Sequence, residues 1–206
     1  MYLKSLLYDV ERYIPKLLPK YHGAEDTKLN AWIMEHMLVC MVKRVFNPGC
    51  KFDELMVLTG IQGVGKTSFI EKLALLPEWY CSLNNIKGKD AVNNLVGKVV
   101  VELEEFVALR NAKSADEAKL FISARTSTIR LPYERFSADV KRTCILIATT
   151  NDATFLGDFS GERRYLPVKV NSENIELPIM YDVENFPILE TITRGEHRNI
   201  VQHDFE

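Results

Sequence analysis

Residues 60–67, Gly-Ile-Gln-Gly-Val-Gly-Lys-Thr, restrict what this chain can fold into more than any other stretch. They fit the pattern G-x-x-x-x-G-K-[ST] at every fixed position. An apolar run of strand length, Leu55-Met-Val-Leu-Thr59, stands before them. After them Phe69, Ile70 and Leu73 recur at helical spacing, and Pro77 stops the helix near Leu76. A strand that turns through a glycine loop into a helix presents backbone N–H groups and a helix N-terminus to an anion. Gly60, Gly63 and Gly65 allow torsions that a Cβ would block. Lys66 would reach the terminal phosphates of a nucleotide, and the Thr67 hydroxyl would ligate Mg²⁺. A chance glycine turn would not match eight residues between a strand signal and a helix signal. The expected cradle is Gly60, Ile61, Gln62, Gly63, Val64, Gly65, Lys66, Thr67 and Ser68.

The rest of the chain supplies a sheet for that loop. Its 206 residues make one domain, or one domain with an appendage. Residues 1–48 read as an N-terminal helical region. Leu3, Leu6, Leu7, Val10 and Ile14 have helical spacing, which Pro15 and Pro19 break, and residues 22–26 read as a turn. Residues 28–46 are a core-facing helix, capped by Asp26 or Thr27, with a stripe of Leu29, Trp32, Ile33, His36, Met37, Cys40, Met41, Val42 and Val45. Strands are expected at 55–59, 79–83, 98–103, 144–149 and 165–170, with helices at 90–95 and 114–125, the latter with Ser114 as a cap. An irregular hairpin is expected around residues 129–135. Buried strands alternating with helices imply an α/β core over 49–170 with a largely parallel sheet. Residues 171–206 have weak periodicity and read as an acidic segment with the look of a truncation.

Several residues stand where chemistry would need them. Glu102 falls at the end of a buried strand and would reach the metal shell, and Glu104 and Glu105 follow it. One of these would orient an attacking water, Glu105 first; the competing reading is a solvated acidic helix start. Asn151 ends the 144–149 strand, at the sheet edge where α/β proteins bind ligands, and would contact a γ-phosphate or position water. It reads equally as a turn-forming Asn. Arg163 and Arg164 follow a glycine-bounded loop, and the residues alone leave their role open.

Composition bears on partners. No apolar run approaches the ~20 residues of a membrane span, and the N-terminus lacks a signal-peptide layout. Cys40, Cys50, Cys81 and Cys144 are too scattered for a metal site and read as buried thiols in a reducing compartment. The net charge of −2 argues against nucleic acid, but it is unevenly spread. Residues 171–206 hold eight acids and two bases, a net of −6, which leaves +4 on residues 1–170. Arg125, Arg130, Arg135, Lys141 and Arg142 outnumber Glu134 and Asp139, with Tyr133 and Phe136 between them. Basic and aromatic residues on a hairpin suit single-stranded nucleic acid, although an ordinary mixed-charge loop has the same composition.

Taken in order, these residues resemble the virulence-associated protein E family of phage and mobile-element proteins. That family is similar to the superfamily 3 helicases, whose ATPase core is an AAA+ variant of the P-loop NTPase fold. The resemblance covers roughly residues 21–170. It rests on residues 21–27, 44–49, 51–53, the 60–67 loop, 101–105, 130–135, 148–151 and 161–168. It implies ATP and Mg²⁺ as cofactors, Lys66 and Thr67 as Walker A residues, and Glu102 and Glu105 as Walker B acids. It further implies Asn151 as a sensor, an arginine finger at Arg163 or Arg164, and a DNA-facing hairpin near 128–141 carrying Arg130, Tyr133, Arg135 and Lys141. The sequence departs from the family where an acid precedes the Arg-x-Pro-Tyr element. Ser127 and Thr128 occupy that stretch.

The leading expectation is an ATP-hydrolysing, helicase-type motor acting on DNA in replication of a phage or mobile element. By resemblance it would assemble as a ring, a hexamer, in the bacterial or phage-infected cytoplasm, with primase or other replication partners. The alternative is a nucleotide-binding regulatory or interaction protein that unwinds nothing. A small P-loop kinase or GTPase is a third reading, which the absence of an Asn-Lys-x-Asp motif disfavours.

Overall fold

Five short apolar strands form one sheet in which every pairing is parallel: β1 (Leu55–Thr59), β2 (Tyr80–Leu83), β3 (Val100–Leu103), β6 (Ile145–Thr150) and β7 (Tyr165–Lys169). The computed structural model that shows them describes residues 14–104, 115–129, 137–151 and 163–171. The strand order is β2-β3-β6-β1-β7. All of β1, β3 and β6 is buried, so these strands read as continuous apolar runs.

The two faces of the sheet carry separate cores, and the strand period of two assigns residues to them. Met56, Leu58, Val100, Ile145, Ile147 and Val168 pack under α1 (Leu17–His22), α2 (Lys28–Phe46) and α3 (Lys66–Leu73). Leu55, Val57, Val101, Leu103, Leu146 and Ala148 pack with Leu83, Ile86 and Leu95 around α4 (Gly88–Asn93), and with Ala118, Phe121 and Ile122 of α5 (Ala115–Ser123). The result is a helix–sheet–helix sandwich, as the alternation of strands and helices implied.

Local chemistry explains the element ends. Thr27 caps α2, its hydroxyl accepting the Asn30 N–H at 3.1 Å. Met34, Met37 and Met41 of α2 are fully buried, so its methionines are core rather than a groove. Leu29 (60% exposed) and Trp32 (49%) belong to its outer face, and the buried stripe runs instead through Ile33, Met34, Met37, Leu38, Met41 and Val42. α1 continues through Pro19, which stands in its first turn, where no intrahelical N–H is needed. It stops at Gly23 in a left-handed cap. α3 ends at Leu73, short of the expected Leu76: Leu76, before Pro77, is extended, as pre-proline residues prefer. Of the four cysteines, Cys50 and Cys144 are buried, while Cys40 and Cys81 are half-buried; all are free.

The hairpin is β4 (Thr126–Ile129) paired antiparallel with β5 (Ala138–Lys141), so its strands flank the expected 129–135 segment. Its base is tied into the core. Gly49 N–H donates to the Arg142 carbonyl (2.8 Å), Arg142 N–H to the Arg125 carbonyl (3.0 Å), and Arg125 Nε to the Gly49 carbonyl (2.7 Å). The Arg142 guanidinium is buried over the Phe121 ring and donates to Ser127 Oγ and the Phe121 carbonyl. Arg125 and Arg142 therefore hold the fold together, and two of the five bases counted on the hairpin are committed to structure. Residues 1–13, Ser114, Arg130, Tyr133, Arg135, Phe136 and the 172–206 segment lie outside the described residues. Among the described residues no helix is long and apolar enough to cross a membrane.

Candidate functional site

The carboxyl ends of β1, β3 and β6 meet beside the N-terminus of α3. The register Thr59↔Thr150 ends β1 and β6 level, and Leu103↔Ala148 ends β3 two residues short of them. The chain leaves β1 through residues 60–65 and enters α3 at Lys66. Gly63 and Gly65, at φ 86° and 80°, take left-handed torsions that L side chains rarely adopt. Gly60 is required for a different reason than torsion: a Cβ there would meet the Val170 carbonyl at 2.5 Å. No side chain caps α3, so its first-turn amides keep their donors for a ligand.

Lys66 is 8% exposed, not lying on the surface of an open loop as a flexible lysine would. Its ammonium donates to the Gly60 carbonyl (2.7 Å), the Ile61 carbonyl (2.9 Å) and Asn151 Oδ1 (2.9 Å). Burial lowers its pKa, opposed by the nearby Glu102 carboxylate. Asn151 thus stands at the tip of β6 against the loop lysine.

Glu102 is 0% exposed, and hydroxyl groups from three elements converge on it. Oε1 accepts from Thr67 Oγ1 of α3 and Thr149 Oγ1 of β6, each at 3.0 Å. Oε2 accepts from Tyr80 OH of β2 at 2.6 Å. Burial and the Glu102 carboxylate push the Tyr80 phenol above its ordinary value, which keeps it a donor. A cavity of about 550 Å³ opens over these groups, lined by Gln62, Gly63, Gly65, Lys66, Thr67, Ser68, Asn84, Glu102, Glu104, Thr149 and Asn151.

The sequence-derived residues divide in three. Lys66 with Asn151 and Thr67 with Glu102 form two contact pairs at one cavity, which Gln62, Gly63, Gly65 and Ser68 also line. Glu105 lies outside the described residues, and Glu104 lines the cavity. Arg163 and Arg164 sit at the opposite end of the sheet, just before β7. The Arg164 carbonyl accepts the Leu55 N–H at 2.7 Å at the start of β1, whereas the loop leaves its far end. Lys141 is exposed on β5, away from these pairs.

Tyr80 and Thr149 were not picked out by their residue types. Both lie in strands that read as apolar. The available signal was relative position: Tyr80 pairs with Val100, two residues before Glu102, so a long side chain reaches the carboxylate diagonally.

His22 is a third residue not singled out. It ends α1 beneath the loop, 1% exposed, its ring edge-on to Phe69 at 4.5 Å and close behind Gly65. Among the described residues neither ring nitrogen has a partner of normal hydrogen-bond geometry, and the Val64 backbone only slightly opposes the effect of burial. Burial, with the Lys66 charge adding to it, lowers its pKa to about 4 from 6.5. The depressed folded value means that protonation favours unfolding. The His22 contribution to stability is complete above pH 6.5 and is lost as pH falls toward 4, about 3 kcal/mol in all. The expected outcome is that His22→Leu removes this part of the acid sensitivity, read from unfolding midpoints at pH 7.5, 5.5 and 4.5. An equal acid slope in the variant would place the sensitivity elsewhere.

Comparison with known proteins gives two results. A family model for the virulence-associated protein E-like domain matches residues 3–185. Among solved structures, two apo structures of the NrS-1 C-terminal region (305–718) align at TM-score 0.61 and 18% identity, over 94% of this chain and 46% and 48% of theirs. A third structure of that region aligns at TM-score 0.63 and 16% identity, over 94% of this chain and 47% of its own. The chain thus spans less than half the length of those structures, and at such identity the likeness is one of fold. No curated protein matches the chain.

Proposed function

We propose a function from one premise: the chain belongs to the virulence-associated protein E-like family. The reading the site supports best is a P-loop NTPase of the AAA+ type, similar to superfamily 3 helicases, which hydrolyses ATP to drive a DNA motor in replication of a phage or mobile element. The single observation that carries it is the meeting of the Lys66–Asn151 and Thr67–Glu102 pairs at the carboxyl ends of a parallel sheet.

The residues fit the groups this reading requires. Gly63 has open space where a Cβ would stand, α3 offers uncapped amides, and the cavity is roomy enough for a triphosphate. Thr67 and Glu102 are a hard oxygen pair, the donor type Mg²⁺ takes alongside substrate phosphates. Bound Mg²⁺ would supply charge neutralisation on those phosphates. Lys66 gives up its loop carbonyls for the β- and γ-phosphates. Asn151, freed from Lys66, contacts the γ-phosphate or orients water, and Glu105 takes the water-activating role by resemblance to the family. Arg163 or Arg164 serves a neighbouring subunit in a ring, and Arg130, Tyr133, Arg135 and Lys141 face single-stranded DNA. A cytoplasmic site and replication partners such as a primase accompany this reading.

A nucleotide-binding regulatory protein without motor activity is the second reading. It is favoured by the commitment of Arg125 and Arg142 to structure, which thins the positive charge on the hairpin. Hydrolysis rates with and without single-stranded DNA separate the two. The motor reading expects stimulation by DNA that is lost when Arg130, Arg135 and Lys141 are replaced by Ala. Hydrolysis indifferent to DNA would leave the regulatory reading.

A further inference from the structure

Tyr80 has no part in the proposed chemistry, yet its hydroxyl makes the shortest of the three contacts to the carboxylate that chemistry uses. We propose that Tyr80 is a positioning residue: it locks the rotation of the Glu102 carboxylate so that Oε1 faces Thr67 and is presented to Mg²⁺. The proposal rests on the reading of Thr67 and Glu102 as the magnesium pair.

The hydroxyls divide the carboxylate unequally. Thr67 and Thr149 both donate to Oε1, at 3.0 Å each, and among the described residues Tyr80 alone holds Oε2, at 2.6 Å. A short O–H···O⁻ bond of this kind is charge-assisted and among the stronger ones a protein makes. Glu102 is 0% exposed, so a donor lost from its carboxylate is costly to leave unreplaced. Once Thr67 turns its oxygen to a metal, Thr149 and Tyr80 are the donors that remain. Thr149 sits on the oxygen that must also serve the metal, so the opposite oxygen is the one that fixes orientation. Tyr80 comes from β2, the edge strand, and reaches diagonally to Glu102 on the neighbouring β3. A phenol suits the role because it is rigid, and it reaches the carboxylate from a half-buried position where a serine or threonine would stop short.

The test is Tyr80→Phe in the full chain, which removes one oxygen and keeps the ring. The readout is equilibrium binding of a fluorescent, non-hydrolysable ATP analogue titrated with Mg²⁺. The half-saturating Mg²⁺ concentration is expected to rise about tenfold, as for loss of one hydrogen bond to a charged group, while binding in EDTA stays unchanged. In a Glu102→Gln background the same substitution is expected to do nothing further. Tyr80→Met carries the same expectation should the Phe variant not fold. An unchanged Mg²⁺ midpoint with a lowered unfolding temperature makes Tyr80 a strand fastener only and overturns the proposal. Wild type lacking Mg²⁺-dependent nucleotide binding altogether, or Lys66→Ala binding as well as wild type, overturns the reading beneath it instead.

Discussion

Lys66→Ala is expected to bring ATP turnover to background, a loss of at least about 10²–10³-fold, the cost of removing one preorganised donor from a transition state. The ammonium already sits at the mouth of the cavity, held by the Gly60 and Ile61 carbonyls and Asn151. On the proposed reading, nucleotide would not recruit a floppy side chain; it would exchange these partners for phosphate oxygens. Removal of Lys66 also leaves two carbonyls and an amide oxygen without that donor, but at the open cavity and the exposed Ile61 these are resolvated cheaply. The unfolding temperature is expected to move little while turnover disappears. Hydrolysis assays and thermal melts on the same preparation check this pair of outcomes. Turnover near the wild-type rate would remove the loop from the mechanism.

Replacing Arg163 and Arg164 together by Ala is expected to cost about 10³–10⁵ in turnover, the range for an arginine set against a γ-phosphate. The position of these residues dictates how that loss can be rescued. They precede β7 at the amino edge of the sheet, and the 60–65 loop leaves β1 at the carboxyl edge. Five residues of parallel strand, about 16 Å, separate the two ends. An arginine backbone pinned to Leu55 N–H is thus far from its own loop, so on the proposed reading it would serve the loop of another copy. Mixing Lys66→Ala subunits with the double-arginine variant, each inactive alone, is expected to restore activity wherever an intact loop meets an intact arginine. Mixed assemblies that form and stay inactive would show that the arginines act within their own subunit or only support the fold.

How much of this was legible in the sequence depended on whether a residue's neighbours along the chain fix its role. The 55–59 strand, the loop and the 28–46 helix were readable because periodicity and capping are local, and all stand within a residue or two of expectation. Lys66, Thr67, Glu102 and Asn151 were readable as strand-end and loop residues. The contacts among them cross 35 and 85 residues of chain and had to be seen. Charge counting misled at Arg125 and Arg142, because a guanidinium satisfied by backbone carbonyls and an aromatic face looks like a surface base in a sequence. Tyr80 and His22 escaped notice for the opposite reason: their chemistry lies in what the fold sets against them.

The ring of bonds through Gly49, Arg142 and Arg125 has a mechanical meaning. It clamps the hairpin's root to the turn before β1, so the hairpin does not swing freely on a hinge. Two residues separate Arg142 from β6, which runs through the middle of the sheet for six residues, about 20 Å, and leads into Asn151 against Lys66. One stiff rod of backbone, braced on both sides by β1 and β3, therefore connects the foot of the hairpin to the amide that touches the loop lysine. On the motor reading, a pull at the hairpin's foot would reach the loop as displacement along that rod rather than being spent in bending, and the strand would act as a drive shaft.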